Sequence, residues 1–117
     1  MSDSIPFLIN GPSRGMATIV LAHGAGAPMD SEFMEYIATQ LALRSIKVVR
    51  FEFPYMAERR KGGSKRPPNS MPQLLSFWHT VLGHMKSEEN LFIGGKSLGG
   101  RMASMIADNY PVKGLTV

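Results

Sequence analysis

Four short apolar runs, separated by stretches of helical periodicity, constrain this chain more than any other feature. Ala17–Ala22 (ATIVLA) is rich in β-branched residues and runs into His-Gly-Ala-Gly-Ala. That pattern predicts a buried strand ending in a glycine loop. From Ser31 the apolar residues fall at Phe33/Met34, Ile37/Ala38 and Leu41/Ala42, which predicts a helix with Asp30 or Ser31 as its cap. Lys47–Phe53 (KVVRFEF) predicts a second strand, stopped by Pro54. Met71, Leu74, Leu75, Trp78, Val81, Leu82 and Met85 mark a second helix. Asn90–Ile93 begins a third strand. Leu98, Met102, Met105 and Ile106 mark a third helix that ends at Asn109-Tyr110-Pro111. Val112–Val117 reads as a fourth strand, and Pro6–Ile9 as an extra short one.

Strands alternating with helices imply right-handed crossovers. The expected class is therefore α/β: a three-layer sandwich, a mainly parallel sheet with helices on both faces. At 117 residues the chain is expected to be one domain, 1–117. Its 44% hydrophobic content can supply a core. The absence of cysteine excludes a disulfide scaffold, a thiolate nucleophile and any Cys-ligated metal site. No apolar run approaches the roughly 20 residues of a membrane span. The N-terminus lacks a basic n-region and a long apolar h-region, so the expected location is cytoplasmic.

The net charge of +4 and the pI of about 9.7 invite a nucleic-acid reading. The placement of the charge argues against it. Pro54–Ser70, expected to be a basic loop, holds Arg59, Arg60, Lys61, Lys65 and Arg66 against Glu58 alone. The surplus of the whole chain sits there, in one segment rather than along a fold face.

Gly-x-Ser-x-Gly occurs twice. Gly11-Pro12-Ser13-Arg14-Gly15 lies between a short extended piece and a strand, and reads as a turn. Gly95-Lys96-Ser97-Leu98-Gly99 follows an apolar strand and opens a helix, the context a nucleophile elbow needs. Such a turn lifts a serine Oγ above the sheet. The residues two before and two after it must be tiny, as Gly95 and Gly99 are. The helix N-terminus adds free N–H groups and a positive dipole. The competing reading is a glycine-rich helix start without chemistry. A phosphate-binding Walker loop fails on spacing, because its first glycine would fall at Asn90.

His23-Gly24-Ala25-Gly26-Ala27 is small enough to bring backbone N–H groups close to a reacting oxygen; the alternative is a tight strand-to-helix connection. His23 itself reads as an anchor of its own loop rather than as a base. His79 and His84 fall on either side of the apolar stripe of the second helix, so they read as boundary residues, not as a metal pair. The nine methionines read as core filler, and no metal site is expected.

The runs LAHGAGAPMDSEFM, RFEFPYMAERR and GGKSLGGRMAS together resemble the α/β-hydrolase superfamily. They look like small bacterial α/β-hydrolase-like proteins, which are similar to dienelactone hydrolases and to the testis-expressed hydrolase-like family. The resemblance covers Thr18 to Val117 and implies a partial α/β-hydrolase fold. It implies the spatial strand order Lys47–Phe53, Ala17–Ala22, Asn90–Ile93, Val112–Val117. It also implies Ser97 as nucleophile, with the N–H groups of Leu98 and Ala25 (Gly26 less favoured) as oxyanion donors.

One departure matters. In this superfamily the acid and histidine follow the serine in the chain. Here His23, His79 and His84 all precede Ser97. Asp108, the only later carboxylate, lies about 16 Å along the same helix at 1.5 Å per residue. The expectation is a serine hydrolase of esters or related acyl bonds, truncated before its acid and histidine and inactive as it stands. Its partner would be a small-molecule acyl substrate, with no cofactor. The alternative is a non-catalytic module that binds an acidic partner through segment 54–70. Leaving strand 47–53 at its C-terminal end, that segment is expected to border the site mouth, where Arg59, Arg60, Lys61, Lys65 and Arg66 would favour anionic substrates.

Overall fold

The computed structural model describes residues 5–24, 26–62, 67, 69–95 and, for the backbone, 114–116. Its strands are β1 (Leu8–Asn10), β2 (Ala17–Ala22), β3 (Ile46–Phe51), β4 (Leu91–Gly95) and β5 (Gly114–Thr116). Its helices are α1 (Glu32–Ala42), α2 (Pro54–Arg60) and α3 (Met71–Gly83). The sheet order is β1-β3-β2-β4-β5. All neighbours run parallel except β1, which pairs antiparallel with β3 from Leu8↔Arg50 to Asn10↔Val48. The strand order implied by the resemblance is the order found, with β1 added at the edge. The expected helix over Leu98–Ile106 lies outside the described residues.

Side-chain alternation divides the core between the two faces of the sheet. Val20, Ala22, Val49, Phe51 and Ile93 pack against Leu74, Trp78, Val81 and Leu82 of α3. Leu21 and Val48, one step out of phase, pack against Met34 and Ala38 of α1. This is the three-layer arrangement that the periodicities predict. Trp78 is fully buried, with its ring edge-on to Phe51 at 4.8 Å. Ser31 caps α1, its side chain accepting from the Met34 N–H. Ser70 and Gln73 form a capping box at the start of α3.

One departure from expectation concerns the end of β3. The segment 54–70 does not begin as a loop: Pro54 is the first residue of α2, after Phe53 in an extended cap conformation. Proline suits that position, since its fixed φ is already helical and its missing N–H would have no partner there. Tyr55 and Met56 of α2 are buried in the core, and Arg59 and Arg60 complement the dipole in its last turn.

The first Gly-x-Ser-x-Gly has a packing explanation. Gly11 has φ +87°, and a Cβ there would lie 2.4 Å from the Ile46 carbonyl oxygen. A Cβ on Gly15 would lie 2.5 Å from that of Ser45. Both glycines let the turn lie against the backbone that enters β3.

Candidate active site

Parallel strands deliver their outgoing loops to one edge of the sheet. In register, Ala22 stands between Phe51 of β3 and Gly95 of β4. The chain therefore leaves β2 at His23, leaves β3 at Glu52 and reaches Gly95 at the same edge. Gly95 precedes Ser97 by two residues in the sequence. Ser97, Leu98, Gly99, Ala25, Lys65 and Arg66 lie outside the described residues.

His23 is fully buried. Its Nε2 accepts from the Phe53 N–H at 3.1 Å, which fixes the proton on Nδ1. Nδ1–H then donates to the Gly24 carbonyl at 2.6 Å. The rings of Phe53 and Tyr55 stand edge-on to it at 5.3 and 5.7 Å. Burial pushes its pKa below 6.5, further than the Gly24 hydrogen bond raises it. The ring is neutral and both nitrogens are engaged by backbone, so His23 holds its loop and has no lone pair left for a base. The Tyr55 hydroxyl also donates to the Gly24 carbonyl, at 3.4 Å. His84 is exposed with its ring against Phe7, and His79 is half-buried on the same helix. Both are the boundary residues that the helical pattern predicts.

A group of charged residues that the motifs do not reveal lies beside the same loop. Arg50 is 2% exposed and Glu52 7%. Arg50 Nη1 donates to the Met29 carbonyl at 3.0 Å and to Glu35 Oε2 at 2.9 Å, and Nη2 donates to Asn10 Oδ1 at 2.7 Å. Glu52 Oε2 accepts from the Met29 N–H at 3.2 Å. Arg60 Nε donates to Glu52 Oε1 at 2.9 Å and its Nη2 to Oε2 at 2.6 Å. Arg60 also spans both oxygens of Asp30, at 3.2 and 2.7 Å. The Arg60 hydrogen bonds hold the Asp30 carboxyl below its ordinary range, and those of Glu52 and Asp30 raise the guanidinium above its own. Arg60, one of the residues expected to favour anionic substrates, pairs here with two carboxylates of its own chain. Arg59 lies over the Tyr55 ring at 5.4 Å.

A cleft of about 280 Å³, lined by Gly26, Pro28, Met56, Arg59 and Arg60, lies between this loop and α2. A larger one, about 370 Å³, lies at the opposite edge among Ser13, Arg14, Gly15, Thr18, Ser87, Glu88 and Glu89. Among the described residues no three His, Cys, Asp or Glu side chains are grouped to hold a metal ion. No described helix is long and apolar enough to cross a membrane.

The profile of the alpha/beta hydrolase domain family matches residues 15–117. This chain belongs to the alpha/beta hydrolase family. Solved structures agree on the fold. Est1E from Butyrivibrio proteoclasticus with ferulic acid bound superposes with a TM-score of 0.73 at 16% identity, over 95% of this hydrolase domain and 47% of that chain. Another structure of Est1E gives 0.73 at 15% identity, over 98% and 47%. A protein from Pseudomonas aeruginosa described as a probable hydrolytic enzyme gives 0.67 at 24% identity, over 95% and 35%. The hydrolase domain thus spans less than half the length of these structures. A search of curated proteins found no match.

Proposed function

We propose that this alpha/beta hydrolase domain carries the nucleophile and oxyanion loop of a serine hydrolase acting on an ester or related acyl bond. The observation that carries the reading is the register that brings Ala22 and Gly95 side by side at the C-terminal edge. His23-Gly24-Ala25-Gly26 follows the first, and Lys96-Ser97-Leu98-Gly99 the second. In this reading Ser97 Oγ attacks the acyl carbon, and its proton passes to a general base. The Leu98 and Ala25 N–H groups stabilise the oxyanion of the tetrahedral intermediate. Collapse of that intermediate expels the leaving group, and water then releases the acyl group from Ser97.

The base is not His23, whose nitrogens are both engaged, and no histidine follows Ser97 in this chain. The described residues supply no acid–base pair for Ser97, and the 117-residue chain by itself is expected to lack ordinary turnover. Arg60 is matched by Glu52 and Asp30, which takes it out of the set that could recruit an anionic substrate or partner.

The test is labelling of the full-length protein with a fluorophosphonate probe. Labelling lost in Ser97→Ala and kept in Ser13→Ala is the expected result. Labelling that survives Ser97→Ala would overturn the assignment.

A further inference from the structure

Arg50 and Glu52 sit two residues apart at the end of β3, on the face opposite Phe51 and Phe53. Burying a guanidinium and a carboxylate is expensive unless each is paired, and an apolar pair of similar volume is often as stable. Their pairing has a particular target. Between them they engage both backbone polar atoms of Met29: Arg50 takes the carbonyl at 3.0 Å and Glu52 the N–H at 3.2 Å. Arg60 then ties Glu52 to Asp30, the next residue of the loop. On the other side of position 25, His23 and Tyr55 hold the Gly24 carbonyl. The loop that contains Ala25 is thus gripped at 24 and again at 29–30. The grips come from His23 just after β2, from Arg50 and Glu52 at the end of β3, and from Tyr55 and Arg60 of α2.

We propose that Arg50 and Glu52 are positioning residues that fix the oxyanion loop through the Met29 peptide, with Arg60 holding Glu52 in place. The proposal rests on the serine-hydrolase reading above. A preorganised donor stabilises charge because it need not reorient during reaction, and a misplacement of about 1 Å can cost 100-fold in rate. Neither residue touches substrate. Their effect falls on the transition state, where the oxyanion forms, and not on ground-state affinity.

The experiment uses the full-length protein, a p-nitrophenyl ester and a fluorophosphonate probe. Glu52→Gln is expected to lower kcat by about 10- to 100-fold with KM within about 3-fold, and to slow labelling in parallel. Hydrogen exchange at the Met29 amide is expected to accelerate in the same variant. Arg60→Gln, at a side chain 44% exposed and therefore compatible with folding, is expected to change the same readouts in the same direction by less. Arg50→Lys should not restore the parent kcat, since one ammonium cannot reproduce the fork that spans Met29, Glu35 and Asn10. Parent-like kcat and labelling in both Glu52→Gln and Arg60→Gln would overturn the positioning role while leaving Ser97 as nucleophile. A rise in KM at constant kcat would also overturn it. A parent protein that the probe does not label would overturn the serine reading itself, and the positioning role with it.

Discussion

The two edges of the sheet both tie down charged groups, half-buried at one and buried at the other, but they use them differently. At the N-terminal edge Glu88 accepts from Thr18 Oγ1 and from Lys47 Nζ, both at 2.8 Å. Those bonds join the approach to β4 to the first turns of β2 and β3, so they fasten strand starts to one another. At the C-terminal edge His23, Arg50, Glu52 and Tyr55 place their bonds on the backbone of Gly24, Met29 and Phe53. There the polar groups mainly shape loops, although Arg50 also ties β3 to Asn10 of β1. The larger cleft is at the fastening edge and the smaller at the shaping edge. Volume alone would select the end away from the proposed site; what the buried polar groups hold points to the other.

The largest effect on stability that sharpens this contrast is expected from His23→Ala. It removes a fully buried ring and leaves the Phe53 N–H and Gly24 carbonyl short of a partner, for a loss of about 3 kcal/mol in denaturant unfolding. The pH dependence carries a second signature. Burial holds the folded-state pKa below 6.5, so the unfolded chain takes up the proton first. Stability from this residue is complete above about 6.5 and is lost as pH falls from there through the folded value. That part of the pH slope should vanish in the variant. An unchanged slope would mean that the ring is not held neutral.

Gly15→Ala tests the fastening edge. The new Cβ would meet backbone, the Ser45 oxygen at 2.5 Å and the Lys47 nitrogen at 2.8 Å, so the turn must shift. A loss of about 1–3 kcal/mol is expected, with kcat of the full-length protein unchanged. A fall in kcat without loss of stability would break the division between the edges.

Glu88→Gln should cost about 1–2 kcal/mol at neutral pH. Burial pushes the Glu88 pKa up, but the Lys47 and Thr18 hydrogen bonds together outweigh it and hold the pKa below 4.5. The stabilisation is therefore present above about 4.5 and lost as pH falls through the folded value. Parent and variant melting curves should converge in acid. Smallest of all, exposed Glu89→Gln should move stability by less than about 0.5 kcal/mol, although it lines the larger cleft.

Much of this was legible from the residues. β-Branched runs alternating with helical spacing predict the parallel sheet, and Ser31, one of the two cap candidates, is the cap found. His23 read as a loop anchor because a lone histidine at a strand end sits within reach of its own backbone. The start of segment 54–70 is less legible, because proline both stops strands and begins helices, and the sequence does not say which Pro54 does. Arg59 and Arg60 were read by charge alone; nothing local announces that Glu52, eight residues before Arg60, and Asp30, thirty before it, would converge on it. Arg50 and Glu52 lie inside KVVRFEF, where strand periodicity alone assigns them no role. The alternation of charge with phenylalanine there was a signal: in a strand covered on both faces, a charge needs a buried partner. Which backbone it would hold depends on contacts 21 and 23 residues away, beyond any local pattern.

The short antiparallel strand β1 has a practical consequence. It occupies the outer side of β3 with only three residues and gives Arg50 its Asn10 partner. A recombinant version trimmed to the family match, starting at Gly15, would discard both. It would present the six-residue β3 as a bare edge, with unpaired backbone along its length. Long bare edges recruit other chains. Such a version is expected to associate edge to edge during expression and purification, which makes the short strand Leu8–Asn10 a solubility guard as well as a partner of β3.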